Sequence, residues 1–77
     1  METTIQHLSS GNKARLVRYT AENEFTRRLA ELGLIPGTLF TFLRRAPLGG
    51  PIEVLYGQTR LAIRPSRNVE IVVDTVQ

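Results

Sequence analysis

The 77-residue sequence has no cysteine and no tryptophan, one histidine and a single lysine, Lys13. Without cysteine, neither a disulfide framework nor a thiolate metal site can stabilise a chain this small, and a cytosolic setting fits that absence. The lone histidine, His7, has no second histidine or cysteine at ligand spacing, which argues against a transition-metal site within one chain. The remaining metal reading is a site between chains, built from His7 and a carboxylate of a homo-oligomer. Long apolar runs are missing too: stretches such as residues 39–43 and 71–73 fall far short of the ~18 to 20 residues that cross a bilayer. The opening METTIQHLSSG lacks the basic start and apolar core of a signal peptide. Ser9, Ser10 and Ser66 have no glycine-flanked elbow and only His7 to serve as a base, while Glu22, Glu24 and Glu31 read as helix-surface charges. No enzyme and no cofactor is expected.

What is present suits one small domain over residues 1–77, with no room for a second core. At this size apolar burial barely offsets the entropy of ordering the chain, so self-association or docking on a larger partner is plausible from the start. The net charge of +3 comes from nine arginines and one lysine against seven acidic residues. The cations are spread along the chain, with only Arg27-Arg28 and Arg44-Arg45 adjacent, which favours a solvated surface over a nucleic-acid footprint.

The pattern is mainly β. TTIQHLSSG offers Thr3 or Thr4 as a cap, then Ile5 and Leu8, and reads as one helical turn plugging the end of a core. KARLVRY, residues 13–19, has strand composition. A helix over about residues 21–32 follows, with Phe25, Leu29 and Leu32 on one face, Thr20 or Asn23 as its cap, and a Glu24/Arg28 pair four apart. Gly33 suits the left-handed residue after a helix, Pro36 stops the helix from resuming, and Pro36-Gly37 fits a type II turn. Strands are expected at residues 39–45, 52–56, 60–64 and 69–73, with Pro65-Ser66 starting one tight helical turn. The sum is about five short strands, with the helix inserted between the first and second, and a small barrel or sandwich.

The segment RRAPLGGPIEV, residues 44–54, has the glycines of a phosphate loop but not its chemistry. Gly49-Gly50 is followed by Pro51 and Ile52 rather than by Lys and Ser or Thr, and no helix follows to hold an anion. It reads as a stiff connector between two strands. If Phe40, Phe42, Ile52 and Val54 face inward, Leu39, Leu43 and Leu55 face outward, either as a contact surface or covered by the helix or the N-terminal plug.

The run LAELGLIPGTLFTFLRRAPLGGPIEV, residues 29–54, resembles the FeoA family, ferrous iron transport protein A. The helix ending in Leu-Gly-Leu, the Pro-Gly turn, the aromatic-aliphatic strand and the Ala-Pro-Leu-Gly-x-Pro-Ile loop occur there in this order, and the likeness extends over essentially the whole chain. Where members commonly carry an acidic residue followed by alanine before the last strand, this chain has Ser66, Arg67 and Asn68. The resemblance implies an SH3-like β-barrel and a cytoplasmic accessory of ferrous iron uptake, peripheral to the inner membrane through its partner. That partner is FeoB, the membrane transporter with a cytosolic GTP-hydrolysing region. Candidate contacts are Arg27, Arg28 and Glu31 on the helix and the outer leucines Leu39, Leu43 and Leu55. The alternative is a basic SH3-like barrel that binds nucleic acid or serves an iron-dependent repressor; no helix-turn-helix precedes it to read DNA.

Overall fold

The computed structural model describes residues 1–76. In chain order it comprises β1 (Glu2–Thr4), a 3-10 turn (Ile5–His7), β2 (Lys13–Tyr19), α1 (Glu24–Glu31), β3 (Leu39–Arg45), β4 (Ile52–Tyr56), β5 (Thr59–Ile63) and β6 (Ile71–Val76). The strands form one sheet in the order β1-β6-β2-β3-β4-β5, and every pairing is antiparallel.

Among the described residues there are six strands rather than about five. The added one is β1, whose residues Glu2, Thr3 and Thr4 pair with Asp74, Val73 and Val72 of β6. Three polar residues carry no alternation to read; the open edge of β6 makes them a strand. The helix therefore lies between the second and third strands in chain order. No helical turn forms at Pro65: Ser66 bridges back to Val69 across Arg67-Asn68, and β6 begins only at Ile71.

The inner face agrees with the alternation. Phe40, Phe42, Ile52 and Val54 are all buried, together with Leu16 of β2 and Val73 of β6. Ile5 and Leu8, from the turn after β1, enter the same core and plug its end. A pocket of about 100 Å³ there is lined by Thr4 and Ile5 near the start of the chain and by Ile63 of β5, and Ile5 and Ile63 share one core around which the sheet curls.

Two bulges bend the sheet. In β2 the register passes from Leu16↔Val73 to Arg18↔Val72, and in β3 from Phe42↔Val54 to Arg44↔Glu53, leaving Val17 and Leu43 as extra residues. An extra residue increases local twist and reverses which side the following side chains face. Beyond Leu43, Arg45 stands opposite the buried Ile52. Its guanidinium lies 5.2 Å from the Phe42 ring centroid and donates to the Gln6 carbonyl, closing the barrel end with a cation over an aromatic face.

Asn23 is the helix cap. Its side chain accepts from the Thr26 amide while the Thr26 hydroxyl accepts from the Asn23 amide, a reciprocal capping box. The Glu24/Arg28 pair does not close to an ion pair; α1 residues are absent from the salt bridges among the described residues. The expected buried stripe also changes at its end. Leu29 is buried and Phe25 half-buried, but Leu32 is 48% exposed. Gly33, at φ +99°, reverses the chain, with its amide donating to Ala30 O and that of Leu34 to Leu29 O. This is a Schellman ending, which brings the residue after the glycine back against the helix. Leu34 is therefore fully buried in the place expected for Leu32.

Candidate interaction surface

The segment from the end of α1 to the start of β3 is held rigidly yet shows its apolar side chains to solvent. Leu32, Ile35 and Leu39 are 48%, 49% and 44% exposed. Pro36-Gly37 forms the expected type II turn, with Gly37 at φ +96° and the Thr38 amide donating to Ile35 O at 3.0 Å. The turn is laced to β2: Gly37 N donates to Leu16 O, Leu16 N donates to Thr38 O, and the Arg15 guanidinium donates to Gly37 O at 2.9 Å.

Two tyrosines complete the anchorage. A helix leaves its last carbonyls without partners. The Tyr56 hydroxyl donates to Leu32 O at 2.6 Å, and the Tyr19 hydroxyl donates to Leu34 O at 2.5 Å. Burial, then the neighbouring Tyr56, push the Tyr19 phenol from 10.0 up to about 12. A side chain at Gly33 would stand 3.4 Å from the Tyr56 ring as well as being strained.

The outer leucines lie beside this segment. Thr41 pairs with Leu55, which places Leu39, two residues earlier on the same face, diagonally across from Leu55. Leu39 is exposed, while Leu43, at the bulge, and Leu55 are half-buried. Next to Leu43, Arg44 forms an ion pair with Glu53 at 3.6 Å.

Arg27, Arg28 and Glu31 are exposed on α1. Arg27 borders a groove of about 450 Å³ between α1 and β2, with Arg18, Tyr19, Ala30 and Pro36. His7 is exposed, and its Nδ1 lies 2.7 Å from the Thr4 hydroxyl. Among the described residues no group of three or more His, Cys, Asp or Glu could hold a metal ion.

Sequence reasoning missed Leu32, Ile35 and Leu48. The Leu-Gly-Leu and Pro-Gly spacing carried the first two, since a Schellman ending decides which leucine turns in. Leu48 had no such signal. It caps the β3–β4 connector with its side chain fully in solvent and φ at +62°. Leu48 and Gly49, both at positive φ, form a tight turn closed by Gly50 N donating to Pro47 O. Gly50 is needed for space, because a Cβ there would meet the Ala46 Cβ at 2.7 Å.

A curled antiparallel sheet of short strands with one inserted helix and a solvent-facing apolar segment defines a small SH3-like module. The FeoA domain family model matches residues 3–74, and the chain belongs to that family. Solved structures agree. The FeoA protein of Chlorobium tepidum is 35% identical, with a TM-score of 0.86 over 97% of this chain and 71% of that one. An iron uptake regulatory protein (FeoA) is 25% identical, with a TM-score of 0.82 over 99% of both chains. Iron(II) transport protein A of Clostridium thermocellum is 28% identical, with a TM-score of 0.84 over 96% of this chain and 46% of that one. No curated protein matches the chain. The family assignment supports a role in ferrous iron transport.

Proposed function

We propose that this protein is a non-enzymatic accessory of ferrous iron uptake that acts in the cytoplasm by binding the cytosolic GTPase region of the FeoB transporter. It reaches the membrane only through that partner; no helix among the described residues is long and apolar enough to cross a bilayer. The observation that carries the reading is the exposure of Leu32, Ile35 and Leu39 on a segment tied down by two tyrosine hydroxyls and a guanidinium. Preorganised apolar side chains bind with little loss of conformational freedom. Leu43 and Leu55 extend this surface along the sheet, while Arg27, Arg28 and Glu31 on the helix offer a second, charged contact beside the groove between α1 and β2.

The test is a calorimetric titration of detergent-solubilised FeoB with this protein, with and without a GTP analogue. Leu39→Ser combined with Ile35→Ser is expected to weaken binding at least about tenfold, the scale of an interface hot spot. Unchanged affinity in that variant, or no binding by the unmodified protein in either nucleotide state, defeats the proposal.

A further inference from the structure

Strand β5 is one of the two edges of the sheet, and among the described residues β4 is the only strand with which it pairs. The β4–β5 hairpin turns on Gly57-Gln58, with Gly57 at φ +59°, so Tyr56↔Thr59 is the closing hydrogen-bonded pair. Hydrogen-bonded and non-bonded pairs alternate along an antiparallel ladder. Val54↔Leu61 and Ile52↔Ile63 are thus bonded pairs, and Leu55↔Arg60 and Glu53↔Ala62 are not. The backbone N–H and C=O groups of Arg60 and Ala62 consequently point away from β4. No backbone hydrogen bond of the turns and loops among the described residues takes them up.

The side chains make this edge selective. Arg60, Ala62 and Arg64 are exposed, whereas Leu61 is half-buried and Ile63 buried. Neither Arg60 nor Arg64 takes part in a salt bridge among the described residues. Two unpaired guanidiniums therefore flank a small residue, roughly 13 Å apart along the strand. Pairing with a second copy is disfavoured by the same charges. An antiparallel pair centred on Ala62 sets Arg60 opposite Arg64 of the other copy, twice, and like charges directly opposite are destabilising.

We propose that β5 accepts an extended acidic segment of another protein as an added antiparallel strand. The added strand exchanges backbone hydrogen bonds with Arg60 and Ala62, places acidic side chains four residues apart against Arg60 and Arg64, and lays apolar residues between them beside Leu61. This inference does not rest on the iron-transport reading, and loss of FeoB binding leaves it intact.

The probe is an acetylated, amidated Glu-Val-Thr-Val-Glu peptide titrated into the isotope-labelled full chain and followed by amide NMR, with Lys-Val-Thr-Val-Lys as its opposite. Binding of the acidic peptide is expected to shift the amides of Arg60, Leu61 and Ala62 and to slow hydrogen exchange at Arg60 and Ala62. Arg60→Glu with Arg64→Glu is expected to weaken it about tenfold and to turn the preference to the basic peptide. Ala62→Pro, which removes a donor from the edge, is expected to abolish binding of the acidic peptide. The amide spectra of the free variants report whether they fold, and the unmodified protein decides the matter alone if they do not. Shifts that map away from β5 at millimolar peptide, equal binding of the two peptides, or dimerisation of the protein through β5 each overturn the proposal. So does an RNA oligonucleotide that binds this edge more tightly than the acidic peptide.

Discussion

At position 48 a leucine occupies a backbone conformation that suits glycine or asparagine, and its side chain touches nothing that would repay it. Leu48 is at φ +62° and 105% exposed. The left-handed region disfavours an L-residue by roughly 1–2 kcal/mol, and asparagine tolerates it far better. Leu48→Asn is therefore expected to stabilise the fold by about 1 kcal/mol, a rise in Tm of about 4–8 °C for a domain of this size. A thermal melt showing no rise refutes this account of the loop. Tyr19 carries a second expectation at the same scale. Its folded pKa of about 12 lies above the unfolded value of 10.0, so its stabilising contribution is whole below pH 10 and is lost as pH rises toward 12. Tyr19→Phe removes that part of the alkaline limb and also leaves Leu34 O without its donor, at about 1–3 kcal/mol below pH 10. Urea unfolding on both sides of pH 10 measures both effects; an unaltered pH dependence in the variant rejects the first.

At the scale of elements, α1 is only eight residues long, below the length at which a helix is stable alone, so its ends and its contacts hold it. Asn23 and Thr26 satisfy each other at the start; Tyr19, Tyr56 and the Schellman turn satisfy the end. Asn23→Ala is expected to cost about 1 kcal/mol and to speed amide exchange in the first turn of α1 before it affects the sheet. Uniform loss of protection across all strands would show instead that the helix and sheet unfold as one. The helix and the Pro36-Gly37 turn were legible because each rests on a residue's own backbone preference. Of the two candidate caps, however, it is Asn23, not Thr20, that caps, so the helix starts at Glu24 rather than near residue 21. The exposure of Leu32 was not legible. Helical periodicity puts it on the buried face, but the helix stops at Glu31 and the Gly33 reversal delivers Leu34 there.

Across the whole molecule, one core holds a sheet that is curled by two bulges and plugged at one end by Ile5 and Leu8. Small domains have stability close to the entropy of ordering them, so a single large cavity is decisive. Phe42, 1% exposed and stacked under Arg45, sits where β3 bends. Phe42→Ala is expected to cost about 3–5 kcal/mol and to leave the protein largely unfolded at 37 °C by circular dichroism, the more so because Arg45 loses its ring. A folded variant with a near-normal melt would mean that Phe42 does not organise the core.

The alternating residues of β3 and β4 and the glycines and prolines at the turns determined the mainly β class and the places where the chain reverses. These are local facts, set by backbone preference and side-chain type. Tertiary structure decided the rest. Glu2–Thr4 became a strand because β6 had an open edge, Arg45 turned over the core because Leu43 bulged, and β5 kept its outward backbone groups because no further strand pairs beyond it. Such features depend on which distant backbone groups find partners, and that accounting closes only when the chain has folded.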